Sequence, residues 1–274
     1  MKKSTVIMIA MTTVCWALML GIVAHECLKG VPYTDSTITV EEGAPCHTFN
    51  AKRFNTLVIP TVNNSKMSII SDSFAGIRVN VSDTAKNVTI SVPDQLKRFL
   101  LCENTGDTLR ISIQTPPEDT IKDPGSYRLR RLNCPVPVTV TTPYPIVSMF
   151  LGCDYSVAIN GMVSDSLNIT SRFTSVMLNS CKINNVKMKS TWRNRISLYL
   201  DGSEIDSLIP HNGNYQANLR GDSLTCVNAL IMDSDNKDGV TVYATNMRIN
   251  SISVPNTALK LFTENSTIQH ISSK

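Results

Sequence analysis

Residues 196–214, ISLYLDGSEIDSLIPHNGN, decide the fold of this chain. Apolar residues alternate with polar ones at Ile196, Leu198 and Leu200, which is the pattern of a half-buried strand. The turn-forming sequence DGS follows, and Ile205 and Leu208 then mark a second apolar segment. The apolar positions of this unit therefore fall at offsets 0, 2, 4, 9 and 12 from its first residue.

The same five offsets recur through the C-terminal half. Copies begin at Thr174, Ile196, Tyr215, Val240 and Leu259, and a weaker copy begins at Ile146. Repeats of about 20 residues that contain only short strands predict a solenoid, in which each coil covers the apolar stripe of its neighbour. We therefore predict an all-β fold, a single-stranded parallel β-helix (solenoid), with the clearest repeats over 174–274.

Two other folds fit part of this pattern. A leucine-rich repeat has a similar period, but it requires a regular Leu-rich consensus with an Asn ladder, and the copies have neither. A β-sandwich also consists of short strands separated by turns, and it stays open as an alternative. The unequal spacing of the copies favours a β-helix whose loops differ in length.

The N-terminus has the features of an export segment. Lys2 and Lys3 precede an uncharged, mostly apolar run over residues 4–24. This run is long enough to span a bilayer as a helix and slightly long for the core of a signal peptide, so 1–26 is predicted to be either a signal peptide or a transmembrane anchor. Both predict an exported chain, in the periplasm, membrane-anchored or at the cell surface. We expect a linker over 27–53 and the solenoid over 54–274.

Composition restricts the partners. The 274-residue chain is 42% hydrophobic and 18% charged, and its net charge of +4 is too small to indicate a nucleic-acid surface.

Short alternating patterns such as TLVIP, GIRVNV, NVTISV, TLRISI and PVTVTT predict strands from Phe54 onward. The segment DQLKRFLL, at 94–101, is the one helical turn expected after the leader.

The cysteines do not form a recognisable metal or redox motif. Eight are present, and the seven beyond the leader show no CxxC spacing, so neither zinc nor a thioredoxin-like site is predicted. An oxidising compartment permits disulfides, whose connectivity the sequence leaves open. We expect Cys153 and Cys181 to be small buried residues.

Residues 76–113, GIRVNVSDTAKNVTISVPDQLKRFLLCENTGDTLRISI, resemble the start of a family named "putative auto-transporter adhesin, head GIN domain". That family shows a strand pair, a short "dqL" turn and a "dgtLrI" strand, followed by "dsLtI" coils, which DSLNITSRFTSVMLNSCKINNV (165–186) and DGSEIDSL (201–208) resemble. The resemblance covers residues 54–274 and implies an exported β-solenoid of the kind found in Bacteroides-like bacteria. Most of the family's "sGaG" turns are lacking, and Gly152, Gly202 and Gly221 are partial matches.

Catalysis has weak support in the sequence. The four histidines are His25, His47, His211 and His270, and no serine-hydrolase, zinc-protease or phosphate-loop motif is present. β-Helices also carry polysaccharide lyases and glycoside hydrolases, which use clustered acids. Four acids of neighbouring coils are the candidates for such chemistry: Asp201, Glu204, Asp206 and Asp222. Few aromatic residues accompany them as sugar platforms, and we favour a solvated face over a carbohydrate-active enzyme.

No metal or cofactor site is assigned. The stretch DSDNKDG at 233–239 resembles a calcium loop, but an EF-hand needs an oxygen ligand at position 5, Gly at 6 and Glu at 12. Lys237, Gly239 and Ala244 stand at positions 5, 7 and 12, so the match fails. We predict no catalytic, cofactor-binding or metal-ligating residues.

One short pattern is enriched. Asp followed by Ser or Thr and then a small or apolar residue or Thr resembles the acceptor sequence for O-glycosylation in Bacteroides-like bacteria. The hydroxyl residues of the seven copies are Ser36, Thr84, Thr108, Thr120, Ser166, Ser207 and Ser223. The alternative is structural, because Asp bonds its neighbouring backbone where turns enter strands.

Taken together, these features predict a non-catalytic envelope or cell-surface protein, an adhesin-like or structural binding module with a carbohydrate or protein ligand on the solenoid face. A carbohydrate-active enzyme and a periplasmic, membrane-anchored signalling or scaffold protein are the alternatives. No polar cap follows Ile268 and Ile271, so we also predict weak self-association through the final coil.

Overall fold

The structure is a computed structural model. It describes residues 11–21, 36–41, 43–60, 67–70, 75–113, 130–133, 138–152, 156–172, 175–191, 195–210, 216–232, 239–254 and 258–273.

Residues 11–21 form a helix inside the apolar N-terminal run. Among the residues described, none of the helices combines the length and the apolar composition that crossing a bilayer requires. Most of the leader expected over 1–26 falls outside the described residues, so the signal peptide or anchor stays a prediction.

The rest of the described chain is almost entirely strand, as the alternating pattern predicts. In chain order the strands are β1 (Ser36–Thr39), β2 (Cys46–Ala51), β3 (Thr56–Ile59), β4 (Met67–Ile70), β5 (Ala75–Val81), β6 (Val88–Pro93), β7 (Leu100–Thr105), β8 (Thr108–Ile113), β9 (Arg130–Asn133), β10 (Val138–Thr142), β11 (Ser148–Leu151), β12 (Ser156–Asn160), β13 (Val163–Ser171), β14 (Val176–Asn179), β15 (Lys182–Ser190), β16 (Arg195–Tyr199), β17 (Glu204–Pro210), β18 (Gln216–Arg220), β19 (Cys226–Ile231), β20 (Val240–Thr245), β21 (Arg248–Val254), β22 (Leu259–Glu264) and β23 (Thr267–Ser273). One 3₁₀ helix, Asp94–Phe99, lies between β6 and β7 and occupies the expected helical turn.

Two ten-stranded sheets form the body. Sheet I has the order β2-β6-β10-β5-β12-β14-β16-β18-β20-β22, and sheet II has the order β23-β21-β19-β17-β15-β13-β11-β3-β8-β7. From β12 onward the chain alternates between the sheets, so each coil adds one strand to each, and neighbouring coils pair in parallel. This is the predicted all-β solenoid. A separate three-stranded sheet has the order β1-β9-β4.

The opening stretch forms one such coil. Ile196 and Leu198 point inward from β16, Leu200 follows at the turn, and Ile205 and Leu208 point inward from β17, all essentially inaccessible to solvent. Two consecutive residues face outward between Ile205 and Leu208, so the alternation shifts by one residue and these offsets differ by three instead of two. The predicted inward set of this coil is therefore confirmed.

The copy that begins at Tyr215 is placed differently. The structure pairs Ile196 with Ala217, and Ile205 with Val227, so this coil begins two residues later than expected and has a turn one residue longer. Leu224, expected to point inward, lies in that turn and is 75% exposed. A fixed set of offsets fails here because turns in a solenoid vary in length while the strands stay in register.

The N-terminal part closes one end of the stack. Cys46–Ala51 falls inside the expected linker over 27–53, yet it pairs antiparallel with β6 and joins sheet I. This corrects the linker for β2, whose half-buried Phe49 and Ala51 pack against the core. β7 pairs antiparallel with β8 at the edge of sheet II. The 3₁₀ helix connects the two sheets here and buries Leu96 and Phe99.

Candidate functional site

A row of carboxylate and amide side chains runs along the outside of sheet II. We call it the corner ladder; it takes one residue from each of five neighbouring strands, Asp165, Asn184, Asp206, Asn228 and Asn250. The Asn184 amide donates to the Asp165 carboxylate at 3.0 Å, and the Asn228 amide donates to Asp206 at 2.8 Å. The Asn250 amide then donates to the Asn228 side-chain oxygen at 2.7 Å. These bonds fix side chains that would otherwise be mobile on an exposed face.

The residue after each ladder position forms a second row. Its members are paired in register across the same strands, Ser166, Asn185, Ser207, Ala229 and Ser251. We call this the serine row, because most of its side chains are short. Four of its five members are half-buried, so their short side chains form a low strip, which we call the flat face, beside the corner ladder. The Ser251 hydroxyl also donates to the Asn228 carbonyl oxygen at 2.9 Å, which ties the two rows together.

The outer face of sheet I carries a different set of side chains. Met177 pairs with Tyr199, and Tyr199 with Arg220, so large side chains of different chemistry follow one another along the stack. A short ladder on this side consists of Asn80, Asn160 and Asn179. The Asn160 amide donates to the Asn80 side-chain oxygen, and the Asn179 amide donates to the Asn160 side-chain oxygen, both at 2.8 Å. The hydrogen-bonding positions of sheet II run through five neighbouring strands, against three in this short ladder, which makes the face with the corner ladder and the serine row the stronger candidate for binding an extended ligand.

The acids proposed for glycosidic chemistry do not converge on one site. Glu204 forms an exposed ion pair with Lys182 at 3.3 Å, and Asp206 belongs to the corner ladder. Asp201 lies exposed in the turn after β16. Asp222 holds the next turn together, as described below. The loose alignment of acids in the sequence therefore reflects two turns and the outward positions of β17, and not a pair of carboxylates facing each other across a groove.

Asp222 organises the turn between β18 and β19. Its Oδ1 accepts hydrogen bonds from the Gly202 amide at 2.9 Å, the Leu224 amide at 3.1 Å and the Thr225 hydroxyl at 2.7 Å. The Thr225 hydroxyl also lies within hydrogen-bonding distance of the Leu200 carbonyl, and its single proton serves one acceptor at a time. The Thr225 hydroxyl and the Gly202 amide lower the pKa of the Asp222 carboxyl.

This lowered pKa predicts a pH dependence of stability. A carboxylate with a lower pKa in the folded than in the unfolded chain stabilises the fold at neutral pH, and that contribution disappears as the pH falls through the folded-state pKa. At neutral pH the wild type should be more stable than Asp222→Asn. From about pH 4 downward the wild type should lose more stability than the variant, so the difference in stability between the two proteins should shrink. Urea unfolding midpoints between neutral and acid pH measure this. Parallel curves would exclude Asp222 as a contributor.

The described cysteines are free thiols: Cys15, Cys46, Cys102, Cys181 and Cys226. Cys181 is buried, as predicted for a small core residue. Burial, with a smaller contribution from Glu103, raises the pKa of Cys102 to about 11, which keeps this thiol protonated and unreactive at neutral pH. Cys153, also predicted to be buried, lies outside the described residues, as do Cys27 and Cys134.

The predicted glycan acceptors fall into two structural classes. Thr84 and Ser223 are exposed in turns, where a transferase could reach their hydroxyls, whereas Thr108, Ser166 and Ser207 are half-buried in strands. Ser36 begins β1, and Thr120 lies outside the described residues, as does most of the calcium-like stretch at 233–239. Glycosylation stays a prediction, with Thr84 and Ser223 as its most accessible positions.

Sequence reasoning missed the corner ladder, although a signal was present. Asn184, Asp206 and Asn250 all stand at offset 10 of their copies. A polar residue at one fixed offset between two apolar ones indicates a shared position on the outside of a solenoid. The sequence did not show how the strands pair. The pairing of β19 with β17 and β21 identifies Asn228 as the ladder residue of the copy that begins at Tyr215.

Comparison with known proteins finds distant structural similarities. No family model matches the chain, and no curated protein does so. Among solved structures, a "putative adhesin" from Bacteroides fragilis is 16% identical, with a TM-score of 0.43 over 86% of this chain and 100% of that one. A "putative lipid binding protein" from Parabacteroides distasonis is 12% identical, with a TM-score of 0.39 over 86% and 100%. A "putative adhesin" from Parabacteroides merdae is 10% identical, with a TM-score of 0.37 over 86% and 99%. Membership of the head GIN family stays a prediction.

Proposed function

We propose that this chain is an exported, non-catalytic binding module that attaches to polysaccharide through the corner ladder and the serine row. One observation carries the proposal: five neighbouring strands of sheet II place hydrogen-bonding side chains in register on a flat, open face. The N-terminal run after Lys2 and Lys3 supports export.

The chemistry of the two rows suits a polymer of hydroxyl groups. Amides donate and accept, carboxylates accept, and serine hydroxyls do both, so sugar hydroxyls of either orientation find partners. The parallel strands repeat about every 4.8 Å, which presents similar groups many times along the stack. Single exposed hydrogen bonds contribute little, but a polymer that engages several at once binds through their combined effect.

The arrangement of acids favours binding over hydrolysis. A glycoside hydrolase needs two carboxyl groups on opposite sides of one bond, at about 5–9.5 Å. Glu204 is paired with Lys182, Asp206 with Asn228, and Asp222 with its own turn. These features support a module that holds a polysaccharide without cleaving it.

The experiment tests one substitution on each sheet. Ala229 lies between Ser207 and Ser251 at the centre of the serine row, so Ala229→Arg would place a long charged side chain across the flat face. Thr241→Arg makes the matched change on the outside of sheet I, where Thr241 is also half-buried in a strand between two neighbours. We expect labelled full-length chain, in mild detergent, to bind members of an immobilised polysaccharide array, and Ala229→Arg to weaken that binding at least about tenfold.

Thr241→Arg should leave the affinity within about twofold of the wild type. Binding to no polysaccharide on the array, or equal losses in the two variants, would contradict the proposal. Incubating each bound polysaccharide with the protein and measuring new reducing ends tests the enzymatic alternative, and we expect none to appear.

A further inference from the structure

The final coil leaves its core residues uncovered. Val242, Ile249 and Ile252 of the preceding coil are fully buried. Their register partners one coil later are Leu261, Ile268 and Ile271. Leu261 and Ile268 are only half-buried, and Ile271 is 49% exposed. The apolar stripe of the stack therefore reaches solvent at this end.

The strand edges are open at the same place. β22 ends sheet I and β23 ends sheet II, and within the described residues no further strand pairs with either outer edge. Exposed strand edges beside apolar residues are sites where another chain adds its own strand. The opposite end differs, because the 3₁₀ helix buries Leu96 and Phe99 there. Among the described residues β2 and β7 also have unpaired outer edges, but the apolar stripe is covered at that end, which makes the β22–β23 end the better site for extension.

The outward residues of β22 are complementary to the same residues in a second copy of the chain. Lys260, Phe262 and Glu264 alternate along the outer face, with Phe262 in the middle. If two β22 strands pair antiparallel about Phe262, Lys260 of each lies opposite Glu264 of the other, and the two Phe262 rings meet. Opposite charges and aromatic pairs placed across an antiparallel pair both stabilise it.

Phe262 also stacks on an aromatic ring of its own chain. The Phe262 ring is 52% exposed and stacks on Tyr243 of the preceding coil, with ring centroids 4.7 Å apart and planes at 9°. One face of the Phe262 ring is thus covered by Tyr243, and its other face points along the stack beyond the last coil. A second Phe262 ring would extend the same stack.

We propose that two copies of this chain join end to end through β22 and β23, about a two-fold axis that passes beside Phe262. The axis sets β22 against the partner's β22 and β23 against the partner's β23. Growth stops at the dimer because a two-fold interface uses the same end of both copies. This inference is independent of the proposed ligand.

A charge-reversal cycle tests the pairing. Sedimentation velocity of the full-length chain in mild non-ionic detergent should show a dimer at about 100 µM protein. Lys260→Glu places like charges opposite each other twice in each dimer and should weaken association about tenfold. Adding Glu264→Lys to that variant restores both ion pairs in reversed order and should return the association to near the wild-type level.

Cross-linking tests the register. Phe262→Cys should form a disulfide-linked dimer under mild oxidation, because residue 262 faces its own copy at a distance a disulfide can bridge. Tyr243→Cys is the control; it lies one coil further in and should give no more cross-linking than the wild-type thiols. A wild-type monomer at about 100 µM, a double charge variant no tighter than Lys260→Glu, or equal cross-linking in the two cysteine variants would overturn the proposal.

Discussion

Leu200→Asp is expected to unfold the stack of coils. Leu200 is fully buried, and its backbone amide bonds the Arg220 carbonyl of the next coil at 2.7 Å. An aspartate here buries a charge without a partner and removes apolar contacts from the adjoining coils. We expect a loss of at least about 4 kcal/mol in the free energy of unfolding, measured by urea unfolding followed by circular dichroism.

Leu224→Asp is the matched control, since it makes the same chemical change in the next coil. Leu224 is exposed in its turn, so we expect a change within about 0.5 kcal/mol. If the two variants unfolded at the same urea concentration, Leu200 would not be a core residue and the assignment of inward positions would fail.

Phe99→Ala is expected to have the second largest effect. Phe99 is 1% exposed in the 3₁₀ helix that closes the N-terminal end of the stack. Truncating a buried phenylalanine removes its apolar contacts and leaves a cavity, at a cost of about 3–5 kcal/mol. The coil beneath would also lose part of its cover. Urea unfolding measures the loss, and dye binding to newly exposed apolar surface reports the opened end.

Phe262→Ala serves as the comparison at the other end. This ring is about half exposed, so its truncation should cost the isolated chain no more than about 1 kcal/mol in dilute solution. Equal losses at Phe99 and Phe262 would mean that the two ends are capped alike, which the structure contradicts.

The fold was predictable because the decisive signal is local. The alternating pattern of Ile196, Leu198 and Leu200 indicates one strand, and a second strand with Ile205 and Leu208 follows after a turn. The recurrence of this unit indicates stacked coils. Leu224 was misplaced because hydrogen bonds between coils set the register of the strands. The turn of this coil is one residue longer, and a fixed set of offsets does not allow for that difference. β2 was missed because its alternation is weak and its partner β6 lies some 40 residues away.

The candidate site was only partly predictable. The sequence favoured a solvated face over a catalytic site, and it shows polar residues at offset 10. It could not show that Asn228 bonds Asp206, or that Ala229 sits between two serines, because both facts depend on which strands are neighbours. The acids looked clustered along the chain, but Glu204 and Asp206 find their partners, Lys182 and Asn228, in other coils.

The most direct test of the account is the ratio of polysaccharide affinities between Ala229→Arg and Thr241→Arg. Both variants carry the same new charge, on outward positions of opposite sheets in one stack. If the flat face of sheet II is the binding surface, the dissociation constant of Ala229→Arg should exceed that of Thr241→Arg at least about tenfold. A ratio near one, with both proteins folded, would contradict the claim that this face binds the ligand.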